Sequence, residues 1–136
     1  MSNLEQTLSI IKPDAVERNL DDIIKKIFTD NNFKIVKSKK IQIEKAEAEK
    51  FYKVHETKPF YDDLCSYLSS GPIVVMVLEK ENAVLDNREL MGATNPQEAK
   101  EGTIRKMHGI SIDKNSVHGS DSLENARVEI DFFFRD

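Results

Sequence analysis

The chain predicts an α+β fold: a mainly antiparallel sheet covered by helices on one face. Three observations carry that prediction. The run Ile73-Val74-Val75-Met76-Val77-Leu78 is apolar throughout and rich in β-branched residues, as a central strand covered on both faces requires. Ile23, Ile24, Ile27 and Phe28 recur at helical spacing opposite Asp21, Asp22, Lys25 and Lys26. The elements follow as strand, helix, strand, helices, strand, helix, loop, helix. No linker, repeat or low-complexity tract interrupts them, so residues 1–136 read as a single domain.

Residues 7–11 form a short β-like run that ends at Lys12-Pro13-Asp14, where Pro13 offers no ladder donor. The amphipathic helix through Ile23 to Phe28 stops at Asn31-Asn32. Phe33, Ile35, Ile41 and Ile43 share one parity, with Lys37 and Lys39 between them. That spacing predicts a long strand, half buried and solvated in its middle. Residues 44–56 place Ala48, Phe51, Tyr52 and His55 on one helical face, and Lys58-Pro59 breaks the helix. Tyr61, Leu64, Cys65 and Leu68 form the stripe of the next one. After the turn Ser70-Gly71-Pro72 and the central strand, residues 82–91 form a helix that stops at Gly92. Residues 92–115 lack periodicity and read as a long loop. A fourth, short strand is expected near Ser116-Val117. Asp121, with Glu124 three residues on, suits an N-cap and capping box. The helix it opens has Leu123, Ala126, Ile130 and Phe133 as its expected buried stripe.

Composition sets outer limits. With 39% hydrophobic and 32% charged residues, the chain suits a solvated globule able to bury a core without staples. A net charge of −4 argues against a protein that coats nucleic acid or acidic membranes. Cys65 is the only cysteine, which excludes an internal disulfide and leaves it the role of a small core residue. Residues 1–6 carry no basic segment followed by an apolar one, and no apolar run is long enough to span a bilayer. A cytoplasmic location is therefore expected. No HExxH, EF-hand or paired Cys/His set indicates a protein-built metal site, and neither a P-loop nor a Rossmann turn is present.

The segment Asn115-Ser116-Val117-His118-Gly119-Ser120-Asp121 concentrates the chemistry. Histidine is the side chain whose ordinary pKa lies near neutrality, so His118 can act as a nucleophile and accept a chemical group. Gly119 removes bulk beside it, which is expected to let a large substrate group approach, and Ser120 supplies a hydroxyl. Glu129 falls about a quarter-turn from the middle of the final helix's buried stripe. From there its carboxylate can reach toward His118 and take the proton of one ring nitrogen, though an ordinary helix-border glutamate fits the same position. Lys12, Arg88 and Arg105 stand near element ends and suit an anion if they converge; singly, each reads as a solvated cation. His55 and His108 have no comparable surroundings and read as packed or surface residues.

These residues bring a family into view. Asn115-Ser116-Val117-His118-Gly119-Ser120-Asp121 resembles the nucleoside diphosphate kinase signature. The resemblance extends to Ile10-Ile11-Lys12-Pro13-Asp14, Lys58-Pro59-Phe60, Ser70-Gly71-Pro72, Gly92-Ala93-Thr94-Asn95-Pro96 and Gly102-Thr103-Ile104-Arg105. It covers essentially the whole chain, in order. It implies the ferredoxin-like βαββαβ sandwich, with a four-stranded antiparallel sheet. It also implies transfer of the γ-phosphate of a nucleoside triphosphate, mainly ATP, to nucleoside diphosphates through phospho-His118 in a ping-pong cycle.

By the same resemblance Lys12, Arg88 and Arg105 match phosphate-binding cations, and Thr94 a hydroxyl on the phosphates. Tyr52 matches a residue beside Lys12 and the nucleophile. Asn115 and Lys12 match contacts to the sugar hydroxyls, Phe60 the aromatic that stacks the base, and Leu64 and Ile112 apolar walls near it. Ser120 and Glu129 match the partners that orient His118. Magnesium is expected on the nucleotide phosphates rather than in a protein cage, with Asp121 reaching it through water. Broad base tolerance is implied, because stacking reads a π-face that every base has. A homo-oligomer built from dimers is implied, a hexamer in preference to a tetramer, with no membrane and no nucleic acid required. Asn19 stands where many members have glycine and Glu101 where eukaryotic members often have proline. The chain ends at Asp136 without the longer tail many members use in subunit contacts. The competing reading is a silent nucleotide- or nucleic-acid-binding regulator. It would require loss of His118 or a phosphate-binding residue, and none is missing.

Overall fold

Pro13 opens a helix as well as closing a strand. The computed structural model describes residues 4–111 and 114–134 and has strand β1 at Leu4–Ile11, followed at once by helix α1 at Pro13–Glu17. Proline's missing N–H costs nothing in a first helical turn, and its fixed φ suits that position. The chain continues through α2 (Asp21–Asp30), β2 (Lys34–Ile41), α3 (Lys45–Phe51), a 3-10 turn at Lys53–His55 and α4 (Tyr61–Leu68). Then come β3 (Ile73–Glu81), α5 (Ala83–Met91), α6 (Ile104–His108), β4 (Val117–Gly119) and α7 (Leu123–Phe134). The strands form one antiparallel sheet in the order β2-β3-β1-β4, the ferredoxin-like arrangement. Between α1 and α2, Asn19 has φ +60°, a conformation that asparagine tolerates better than most residues.

Helices cover both faces of the sheet, not one. Ile11, Val74, Met76, Leu78 and Val117 face a core completed by α1, α2, α5 and α6, with Ile24, Phe28 and Ile104 fully buried. Leu8, Ile10, Ile73 and Val75 face a second core completed by α3, α4 and α7, with Cys65 and Leu68 inside it. The unbroken apolar run of β3 is what a strand with two buried faces needs.

β2 departs from its expected parity. A bulge falls between Ile35 and Lys37, which pair with the consecutive residues Leu78 and Val77 of β3. The extra residue reverses the alternation. Phe33 and Ile35 therefore join the first core, and Ile41 and Ile43 the second.

Residues 92–115 are not a plain loop. They hold a 3-10 turn at Pro96–Glu98, capped by the Asn95 side chain, and α6, capped by Thr103 Oγ1, which accepts from Lys106 N–H at 3.3 Å. The N-cap of α7 is Ser122 rather than Asp121. Ser122 Oγ accepts from Asn125 N–H at 3.1 Å, because the helix begins one residue later than the capping box required. Leu123, in that first turn, is exposed rather than part of the buried stripe, whereas Ala126 and Phe133 are buried. Among the described residues no helix is long and apolar enough to cross a membrane.

Candidate functional site

β4 has three residues and lies against the C-terminal half of β1, pairing His118 with Ile10 and Gly119 with Ser9. Ser120 extends the attachment: its N–H donates to the Leu8 carbonyl at 3.2 Å, and its Oγ accepts from Leu8 N–H at 3.3 Å. That fixes the Ser120 oxygen and leaves its proton to be donated to Glu129 Oε1 at 2.9 Å. His118 Nε2 meets the same oxygen at 2.9 Å. A carboxylate can only accept, so in a neutral imidazole this contact puts the hydrogen on Nε2 and the lone pair on Nδ1. Glu129 reaches this point from the middle of α7, on the face anticipated for it.

The His118 ring is held on another side by Phe51, edge-on with ring centroids 5.4 Å apart. Phe51 packs in turn on Tyr52, Phe132 and Phe133. Tyr52 is buried, and burial raises its phenol pKa, keeping it protonated. From Tyr52 a line of rings leads through His55, at 6.3 Å, to Phe60, at a further 6.1 Å. Phe60 is 47% exposed, with Lys58 Nζ 5.7 Å from its ring centroid. Phe51, Tyr52, His55, His118, Asp121 and Glu129 line a hollow of about 170 Å³. Phe51 and His55 were not anticipated as site residues. Their signal was the shared helical face with Tyr52, which reads equally well as core.

Gly119 has a packing role besides the one expected. A Cβ there would collide with the Asn87 side-chain amide and with Met91 of α5. The missing side chain admits α5, and Gly119 also lines the hollow beside His118.

The cations arrive from three directions. Lys12, at the end of β1, is buried and donates from Nζ to Asn115 Oδ1 at 3.0 Å. Asn115 Nδ2 donates to the Thr94 carbonyl at 3.1 Å, so the three residues are linked. Arg105 turns inward from α6 and donates to the carbonyls of Gly92, at 3.0 Å, and Val117, at 2.8 Å. Burial, with the neighbouring charge of Arg88, lowers its pKa to about 10, which leaves it charged at neutral pH. Among the described residues neither Arg88 nor Arg105 forms an ion pair. Arg88, Thr94 and Arg105 line a second hollow of about 670 Å³. Two neighbouring cations with no carboxylate paired to either can take an anion, although Glu89 and Glu98 stand at the same hollow. Leu64 is half buried against the second core and lines neither hollow. Ile112 lies outside the described residues.

Known proteins resemble this chain along nearly its whole length. The profile of the family described as nucleoside diphosphate kinase matches residues 5–136. A nucleoside diphosphate kinase of Nitratiruptor sp. is 60% identical over 131 residues, covering 96% of each chain. One from Bartonella tribocorum is 56% identical over 131 residues, covering 96% of this chain and 94% of its own. The crystal structure of the Aquifex aeolicus nucleoside diphosphate kinase superposes with a TM-score of 0.94 at 40% identity, covering 96% of this chain and 95% of that one.

Proposed function

The chain belongs to the nucleoside diphosphate kinase family, and from that premise we propose that His118 carries the phosphoryl group in a ping-pong cycle. The activity is that of a nucleoside diphosphate kinase, a nucleotide-binding transferase. One observation chiefly supports the mechanism: His118 Nε2 and Ser120 Oγ meet on Glu129 Oε1, each at 2.9 Å, a contact that frees Nδ1 of a neutral ring to attack.

In the first half-reaction, Nδ1 attacks the γ-phosphorus of a nucleoside triphosphate, mainly ATP. The N–P bond forms as the bond from phosphorus to the β,γ-bridging oxygen breaks, and the diphosphate leaves. In the second, a β-phosphate oxygen of an incoming nucleoside diphosphate attacks the same phosphorus. The N–P bond breaks, and a new triphosphate departs. Nε2 keeps its proton throughout, so Glu129 holds the ring and offsets the positive charge developing on it. Lys12, Arg88 and Arg105 spread the phosphate charge, and Thr94 adds a hydroxyl. Tyr52 shapes the wall beside the nucleophile. Asn115 with Lys12 takes the sugar hydroxyls. Phe60 stacks the base, with Leu64 and Ile112 as apolar walls, which gives broad base tolerance.

Magnesium belongs to this reading as a companion of the nucleotide. Asp121, exposed and lining the His118 hollow, supports a contact through water. When bound, magnesium offsets phosphate charge. A homo-oligomer assembled from dimers, hexameric rather than tetrameric, and the cytoplasmic location expected from the sequence complete the proposal.

The test is a two-step transfer. The protein is mixed with γ-labelled ATP and magnesium, freed of nucleotide, and examined for an acid-labile, base-stable label. Wild type, but not His118→Asn, should carry label and pass it to GDP, CDP and UDP alike. Nucleotide binding without label would sink the phosphohistidine cycle.

A further inference from the structure

Between Asn115 and His118 the backbone makes a tight reversal. Val117 N–H donates to the Asn115 carbonyl at 2.9 Å, and Ser116 between them has φ +74°. A three-residue turn with positive φ at its centre is a strained γ-turn, one that serine has no intrinsic reason to adopt. Such a conformation persists only where its surroundings over-determine it.

Those surroundings are centred on Asp14. Ser116 is fully buried, and its carbonyl accepts from Lys12 N–H at 2.8 Å. Its hydroxyl donates to Asp14 Oδ2 at 2.8 Å, with the His108 carbonyl at 3.1 Å as the other acceptor in reach. Arg18 Nη2 lies 3.0 Å from Asp14 Oδ2, 3.2 Å from Ser116 Oγ and 2.6 Å from the His108 carbonyl. Asp14 Oδ1 accepts from the Tyr67 hydroxyl, whose oxygen accepts from Asp14's own N–H at 2.9 Å. Burial and the bond to Asp14 raise the Tyr67 phenol pKa, which keeps it a donor. Asp14, Tyr67 and Ser116 line neither the His118 hollow nor the arginine-lined one.

We propose that Asp14 is a positioning residue: by gripping the Ser116 hydroxyl it holds the γ-turn that aims Asn115 and His118 at the nucleotide. The proposal rests on the reading of His118 as phosphoryl acceptor. Without the grip, Ser116 relaxes toward negative φ and rotates its flanking peptides. Asn115 then swings away from Lys12, and β4 shifts against β1.

A double-mutant cycle tests this, with transfer from ATP to GDP measured well below the unfolding midpoint of every variant. Glycine adopts positive φ without a grip, so Ser116→Gly should bypass Asp14. Asp14→Asn should lower kcat/KM about tenfold with Ser116 present, and less than about threefold in the Ser116→Gly background. Equal losses in both backgrounds, or no loss from Asp14→Asn, overturn the proposal. Ser116→Ala keeps the strain and loses the hydroxyl, so it should reproduce the tenfold loss even if Asp14→Asn fails to fold; wild-type kcat/KM there also overturns it. Amide exchange at Val117 N–H, without nucleotide, should speed in Asp14→Asn and Ser116→Ala. Unchanged exchange counts against the proposal whatever the activity. An inactive wild type would instead remove the phosphoryl-acceptor reading, and exchange would still judge the dependence of the turn on Asp14.

Discussion

Arg105 donates to the carbonyl of Val117 at 2.8 Å, so a cation from the irregular segment is bonded to the strand residue beside His118. The same guanidinium meets the Gly92 carbonyl at 3.0 Å. A lysine cannot present that planar fork. Arg105→Lys should leave one buried carbonyl unmet and cost about 1–3 kcal/mol of stability, read from denaturant unfolding. Transfer should fall roughly 10²-fold in kcat/KM as a fixed donor to phosphate is lost. Full activity in Arg105→Lys would remove Arg105 from the phosphate contacts.

Gly119→Ala tests the approach of α5 to β4. The added Cβ meets Asn87 and Met91, and Gly119 lacks a positive φ, so the cost is steric rather than conformational. Overpacking of this kind costs about 1–3 kcal/mol. The Asn87 amide is buried with no hydrogen-bond partner, so Asn87→Ala can make room without breaking a protein hydrogen bond. Thermal unfolding should show Gly119→Ala well below wild type and the pair Gly119→Ala/Asn87→Ala partly restored. A single variant as stable as wild type would contradict the packing.

Phe60 makes few demands on the fold, since nearly half of it is exposed. Phe60→Ala should leave stability within about 0.5 kcal/mol of wild type. Lost stacking, worth about 1–3 kcal/mol per base, should raise KM for purine and pyrimidine diphosphates alike. Loss for one base class alone would mean that Phe60 discriminates, against the stacking role.

Acid should weaken the fold partly through two histidines. Burial, then Lys58, lowers the pKa of His55, and burial, then Arg18, lowers that of His108. Just below the ordinary histidine pKa, the unfolded chain therefore binds protons that the folded chain refuses. Stability rises with pH through that window and is lost as pH falls below about 6.5. Between about pH 7 and pH 5.5 the denaturation midpoint should fall more in wild type than in His55→Gln/His108→Gln. Identical slopes would assign the acid sensitivity to groups other than His55 and His108.

Much of the fold was legible because its signals are local. The apolar run of β3, the stripe of α4 and that of α2, apart from the exposed Ile23, depend on residues a few positions apart. Helices α1 and α6 escaped notice because five residues are too few to show a period, although Pro13 and Thr103 mark their starts. The β2 bulge escaped because an inserted residue reveals itself only against β3.

The sequence by itself determined which side chains are available for chemistry: a histidine beside a serine, a glutamate within reach along a helix, and three cations at element ends. How they act depends on contacts that form only in the folded chain. Those contacts set His118 Nε2 against Glu129, pack α5 onto Gly119 and turn Arg105 inward. The decisive bonds join residues far apart in the chain, such as Leu8 to Ser120 and Lys12 to Asn115. Their geometry is set by two cores packed on opposite faces of one sheet, and local propensity carries no information about that distance.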